Sequence, residues 1–185
     1  MKPQKVQHST DARWQIKRLK AQLDDLYLRA DPRDFSDPEV AGDLARYLCV
    51  RVSGYLEQSI VIIFRSHCAK NSWGMVHQFA SSHLDRAPNM SGANMIGLVR
   101  RFSGQIADEL ESFLAIEERG ARLNSLVGLR NDIAHGKQQG VSREQAWSYL
   151  NLAELVVDWL IDKFDPLEAT DASGKRKVKS AAPVP

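Results

Sequence analysis

The chain has 185 residues, 43% of them hydrophobic, and a formal net charge of +2. That is enough to bury one sizeable core as a single domain. The near-neutral charge excludes a global basic field that would advertise nucleic acid, so any such contact must come from local clusters. Residues 11–30 read as a first helix, capped by Ser9 or Thr10, with Trp14, Leu19, Leu23, Leu26 and Tyr27 close to one stripe. Asp31-Pro32 stops it. Asp37-Pro38-Glu39 starts a second helix, which periodic apolar residues from Val40 to Phe64 carry to about Lys70, with Gly54 as a place for a bend. A less regular stretch follows, holding a short helix over 73–83 and a loop around Pro88. Further helices are expected over 94–102, 103–114 and 116–135. A capping box, Ser142 to Gln145, opens a last helix over 143–164, with Tyr149, Leu150, Val156, Val157 and Leu160 on its inner side. Asp165-Pro166 ends it, and the small, polar, basic residues beyond predict a disordered tail. No strand alternation or repeat is visible. The prediction is an all-α bundle of four to six helices over 11–165, between a flexible N-terminus, 1–10, and a disordered basic tail, 166–185.

Neither cysteine, Cys49 or Cys68, sits in a C-x-x-C or zinc-ligand spacing. No metal and no cofactor are therefore expected, and both thiols should be buried and reduced. The sequence opens without an apolar signal core, and its longest apolar run, Ser59 to Phe64, is too short to span a bilayer. The expectation is a cytoplasmic protein without membrane contact.

The segment LVGLRNDIAHGK, Leu126 to Lys137, carries the chemistry. Leu123, Leu126 and Val127 recur at helical spacing, so Arg130 stands on a helix whose other face is buried. Gly136 occupies the position where a helix ends in the left-handed region. That places His135 in the last turn, where the helix dipole favours a cation. A fixed guanidinium, an adjacent amide and a titratable imidazole suit the binding or cleavage of a phosphodiester. The imidazole can take a proton from a ribose 2′-hydroxyl. The guanidinium fork matches phosphate oxygens as charge develops on them. Asn131 is placed to orient either the phosphate or the imidazole. Asp132 beside a phosphate would repel it, which favours a structural or histidine-orienting role. Residues five apart on a helix differ by about 140° in direction, so Arg130 and His135 do not face each other along one helix.

The phrase R-N-D-I-A-H-G, Arg130 to Gly136, resembles the R-x(4–6)-H motif of HEPN domains, and that of the RiboL-PSP-HEPN subgroup in particular. The resemblance extends over roughly 11–165 and is strongest over 126–164. It implies an all-α HEPN-like fold and a two-fold homodimer in which two motif copies converge in a cleft. It also implies a metal-independent endoribonuclease, for which Arg130, His135 and Asn131 are the candidate catalytic residues and Asp132, Lys137 and Glu57 the candidate binding residues. RNA would be the substrate, and an antitoxin or another inhibitory protein a partner in toxin–antitoxin, antiphage or RNA-processing roles. HEPN domains also include non-catalytic RNA- or nucleotide-binding and dimerisation modules, which is the alternative; a helical scaffold with a coincidental motif is a third.

Other candidates weigh less. Glu57 is either an exposed carboxylate or, if buried, in need of a partner such as Arg130. His67, His77 and His83 lack ligand spacing and read as incidental. Arg100-Arg101 and the run Lys175 to Lys179 are the basic clusters. Trp147 and Trp159 read as core or dimer anchors.

Overall fold

In the computed structural model, residues 11–84, 89–137 and 139–165 are described, and among them every regular element is helical. The helices are α1 (Ala12–Arg29), α2 (Pro38–Asn71), α3 (Gly74–Leu84), α4 (Gly92–Arg100), α5 (Gly104–Ala115), α6 (Arg119–Ala134) and α7 (Arg143–Phe164). The segments 1–10 and 166–185, expected to be flexible, lie outside the described residues, as do the capping candidates Ser9 and Thr10.

Short polar side chains set the helix starts. The Asp11 carboxylate accepts from the Arg13 N–H, so α1 begins on Asp11 itself. Asp37 accepts from the Glu39 N–H, with Pro38 in the first turn of α2. Ser91, Ser103 and Ser142 accept in turn from Asn94, Ile106 and Gln145. Each such cap satisfies one N–H that the helix itself leaves unpaired. Ser91 starts α4 two residues earlier than the apolar pattern alone suggests. α2 runs unbroken through Gly54.

One expected continuity fails. The helix predicted over 116–135 starts only at Arg119, after a 3₁₀ turn in which Glu117 and Glu118 have φ of 50° and 53°. Left-handed backbone is unfavourable for residues with a Cβ. Here the turn is fastened from both sides. The Arg119 guanidinium stacks 4.6 Å from the Phe113 ring centroid and donates to the Phe113 carbonyl at 3.3 Å. Helical periodicity could not reveal the break, because residues before and after it are equally good helix formers.

α2 is the axis of the bundle. It packs on α7, α1 and α6, while α4 and α5 pack on each other and on α6. Leu48, Val52, Leu56, Ile60, Ile63 and Phe64 of α2 are buried against Leu150, Ala153, Val157, Leu160, Ile161 and Phe164 of α7 and their neighbours. Phe64 lies 4.7 Å from both Phe102 and Phe164, centroid to centroid, and their rings seal one end. α3 buries only Leu84, so six helices make the packed bundle and α3 is an outlier on the end of α2. α2 is long and apolar enough to cross a membrane by length and composition, and 56% of that window is buried inside the bundle.

Polar contacts fix the helix ends. Asp165 is buried and bonded to Ser66 and Lys70, and its carbonyl accepts from Arg13 at 3.0 Å. Arg143, opening α7, lies 3.9 Å from the Tyr27 ring centroid and donates to the Tyr27 carbonyl at 2.9 Å. Trp147 packs on Tyr27 and Trp159 on Phe113, so both tryptophans anchor helix contacts, with Trp147 still 38% exposed.

Cys49 and Cys68 are buried free thiols. Burial in apolar surroundings pushes Cys49 up to about 12 and also raises Cys68, because the thiolate loses its solvation. Ellman's reagent at pH 8 should therefore label neither cysteine in the folded protein and both after denaturation in guanidinium. Rapid labelling of Cys49 without denaturant would show that the α2 core opens readily.

Candidate functional site

Leu123, Leu126 and Val127 turn one face of α6 into the core. Arg130 continues that stripe at the next helical step, so its side chain is directed at α2 where the apolar packing ends. There its guanidinium meets Glu57 at 4.0 Å and donates to the Asn131 side-chain oxygen at 3.1 Å. Both members of the ion pair keep contact with water, at 38% and 27% side-chain exposure. Glu57 is thus the partly buried partner of Arg130 rather than a free surface acid. Its second oxygen, Oε1, is buried without a hydrogen-bond partner. Asn131 serves the arginine rather than the imidazole.

His135 is the C-cap residue of α6, with φ −91° and ψ 13°. Gly136 follows at φ 74°. Its N–H reaches the Ile133 carbonyl at 3.0 Å, and the Lys137 N–H reaches the Asp132 carbonyl at 2.9 Å. This pair of bonds is the Schellman arrangement, which ends the helix at a defined place. The Asp132 carboxylate then gathers the loop, accepting from Lys137 at 2.8 Å and from Gln139 at 2.9 Å. The Gln139 carbonyl accepts in turn from Arg46 of α2 at 3.4 Å. Asp132 therefore ties the loop together, with Lys137 held back against it. The imidazole of His135 is left exposed at the capped end.

Among the described residues no hydrogen bond joins Arg130 to His135. They share a helix end but face apart, as the 140° offset anticipates. Arg130 and Glu57 line a cleft of about 360 Å³ between α1 and α2, together with Gln22, Arg51, Gln58 and Leu19. His135 does not line it. Gln22, Arg51 and Gln58 escape sequence reasoning as site residues, since nothing in their spacing distinguishes them from ordinary surface positions. His67 is used structurally, its Nδ1 lying 2.9 Å from the Phe164 carbonyl. Arg100 is paired with Asp108 and Glu111. No group of three or more potential metal ligands forms among the described residues. The run Lys175 to Lys179 lies outside them.

Because Gly136 alone supplies the positive φ that sets His135, Gly136→Ala should cost about 1 kcal/mol of stability, the ordinary penalty for a left-handed Cβ residue. Chemical denaturation of the variant checks this. An unchanged stability would mean that another residue ends the helix.

No curated protein and no solved structure matches this chain. The RiboL-PSP-HEPN family model matches residues 10–165, a span that contains all seven helices, the Arg130–His135 motif and the loop that follows it. The chain belongs to the RiboL-PSP-HEPN family.

Proposed function

We propose that this domain is a metal-independent endoribonuclease acting in the cytoplasm, with its site assembled between two copies of the chain. HEPN domains generally bind RNA and dimerise, and the family suggests a nuclease or RNA-binding role. The observation that carries the finer reading is the state of the motif. Arg130 keeps free donor capacity at the edge of a cleft, and the His135 imidazole is exposed on a rigidly capped helix end. A guanidinium has five N–H donors, and Glu57 and Asn131 engage only two of its nitrogens.

In the proposed reaction His135 takes the proton of a ribose 2′-hydroxyl. The 2′-oxygen forms a bond to the adjacent phosphorus while the bond from phosphorus to the 5′-oxygen breaks. The leaving oxygen takes a proton from the partner's imidazolium or from water. The products are a 2′,3′-cyclic phosphate and a 5′-hydroxyl. Arg130 donates to the non-bridging oxygens, where negative charge grows, and so supplies the electrostatic stabilisation that a metal would otherwise give. The divergence of Arg130 and His135 is what calls for the second copy: an arginine of one chain and a histidine of the other can meet across a two-fold axis. A toxin–antitoxin or antiphage setting, with an antitoxin or other inhibitory protein as partner, extends the same reading.

The competing reading is a non-catalytic RNA-binding or dimerisation module. The Arg130–Glu57 pair favours it, since a partly neutralised arginine suffices for binding.

Arg130→Ala and His135→Ala should each lower RNA cleavage at least about 100-fold, the usual scale for removal of an acid–base or charge-stabilising group. Their melting temperatures should stay close to that of the parent, and EDTA should leave parental cleavage unchanged. RNA binding without cleavage would select the competing reading. Cleavage that stops in EDTA and returns with Mg²⁺ would reject the mechanism.

Mixing the two inactive variants tests the shared site. If each cleft takes Arg130 from one chain and His135 from the other, one cleft in each heterodimer is intact and about a quarter of the activity returns on random reassortment. A dimer that shows no recovery would place both residues of a site in one chain.

A further inference from the structure

The cleft beside Arg130 does not end at Gln58. It shares Leu19, Gln22 and Gln58 with a second hollow of about 440 Å³ that carries on along α1 to Trp14 and Arg18. From Trp14 to Leu23 the two together follow about two and a half turns of α1, or about 14 Å at 1.5 Å per residue. Three arginines, Arg18, Arg51 and Arg130, line this path against one carboxylate, Glu57. The locally basic face is the kind of cluster that the overall charge leaves room for.

Its chemistry is specific in kind. Trp14 is 42% exposed, and the Arg18 guanidinium stands 5.7 Å from its ring centroid. Arg51 lies in the same relation to Tyr47, donating to the phenol oxygen at 3.1 Å. Between these ends the exposed amides of Gln22 and Gln58 offer both donors and acceptors. An exposed aromatic face for stacking, guanidinium groups at its flanks and amides between them suit a single-stranded nucleic acid with unstacked bases. A duplex keeps its base faces stacked and cannot present one to Trp14.

We propose that the α1–α2 cleft is the path by which single-stranded RNA reaches Arg130, with a base stacked on Trp14, phosphates on Arg18 and Arg51, and base edges met by Gln22 and Gln58. This inference rests on the ribonuclease reading above and adds to it the residues that hold the strand beside the reacting phosphate.

The test uses the full chain carrying His135→Ala, so that binding is read without cleavage, and a fluorescein-labelled single-stranded RNA dodecamer followed by anisotropy. Trp14→Ala should weaken binding about 5- to 150-fold, the usual range for removal of a stacking platform, and Trp14→Phe should restore most of it. The double variant Arg18→Ala, Arg51→Ala should lower the slope of log affinity against log salt by about 1.4, or about 0.7 for each phosphate that is no longer neutralised. A double-stranded RNA of the same sequence should compete poorly. Unchanged affinity and salt slope in these variants, with the parent still cutting RNA, would overturn the path and leave the ribonuclease reading standing. A parent that neither binds nor cuts RNA would overturn both. Conversion of a dimer to a monomer by Trp14→Ala in sedimentation would assign this face to contact between copies and overturn the path.

Discussion

Coverage of α2 is the constraint on which the rest of the structure depends. Its buried residues, from Ala45 to Cys68, take up more than half of its circumference at 100° per residue. One neighbour cannot cover so wide an arc, so α1, α6 and α7 must all pack against the same helix. Each contributes an apolar stripe of its own, and the non-directional attraction of apolar surfaces sets their positions. What is left uncovered is a narrow stripe of α2 carrying Tyr47, Arg51, Gln58 and Arg65, at steps of four and seven residues. Arg51 and Gln58 of this stripe line the clefts. The site region is therefore a by-product of the packing: it lies where α1 and α6 cease to cover α2.

The second constraint is the end of α6. Helical spacing directs Arg130 inward along the stripe begun by Leu123, while the Schellman bonds at Gly136 fix His135 at the rim. Asp132 makes that end rigid by holding Lys137 and Gln139, and through Gln139 the loop is joined to Arg46 of α2. The two side chains thus leave one fixed helix end in directions that do not converge within one chain. Rigid divergence is costly for a monomeric active site, since preorganised geometry is what makes proton transfer and charge stabilisation effective. The same rigidity is an advantage for a site completed by a second copy, because each half arrives already in place.

Much of this was legible in the sequence, for reasons that differ from residue to residue. The helices announced themselves because an all-α core needs 3.6-residue periodicity, and α2 and α7 are long enough for the pattern to be unmistakable. Gly136 marked the end of α6 because few other residues adopt positive φ at low cost. The break at Glu117 and Glu118 was hidden, since it is imposed by Arg119 and Phe113 packing rather than by any local breaker. Glu57 was recognisable as a possible partner of Arg130, but only tertiary packing could decide that it is partly buried. Gln22, Arg51 and Gln58 carried no signal at all: they lie on two helices whose approach brings them together, and an exposed glutamine in a helix looks the same wherever it sits.

The pairing of Arg130 with Glu57 bears directly on whether the motif is available for chemistry. At 4.0 Å, with both side chains partly in water, the pair falls among ion pairs that contribute about 0–1 kcal/mol. It is not bidentate at hydrogen-bond distance, so a phosphate that offers the guanidinium two short, charge-assisted bonds makes the stronger partner. Glu57 has the opposite electrostatic effect on the phosphate itself, repelling it from the inner wall of the cleft. The two influences do not cancel: the repulsion falls with screening and distance, whereas the bidentate contact acts at close range. So weak a pair leaves the Arg130 guanidinium open to a stronger anionic partner on its outer side, away from Glu57. That outer side faces solvent, which is where the second chain of the proposed dimer would bring its histidine.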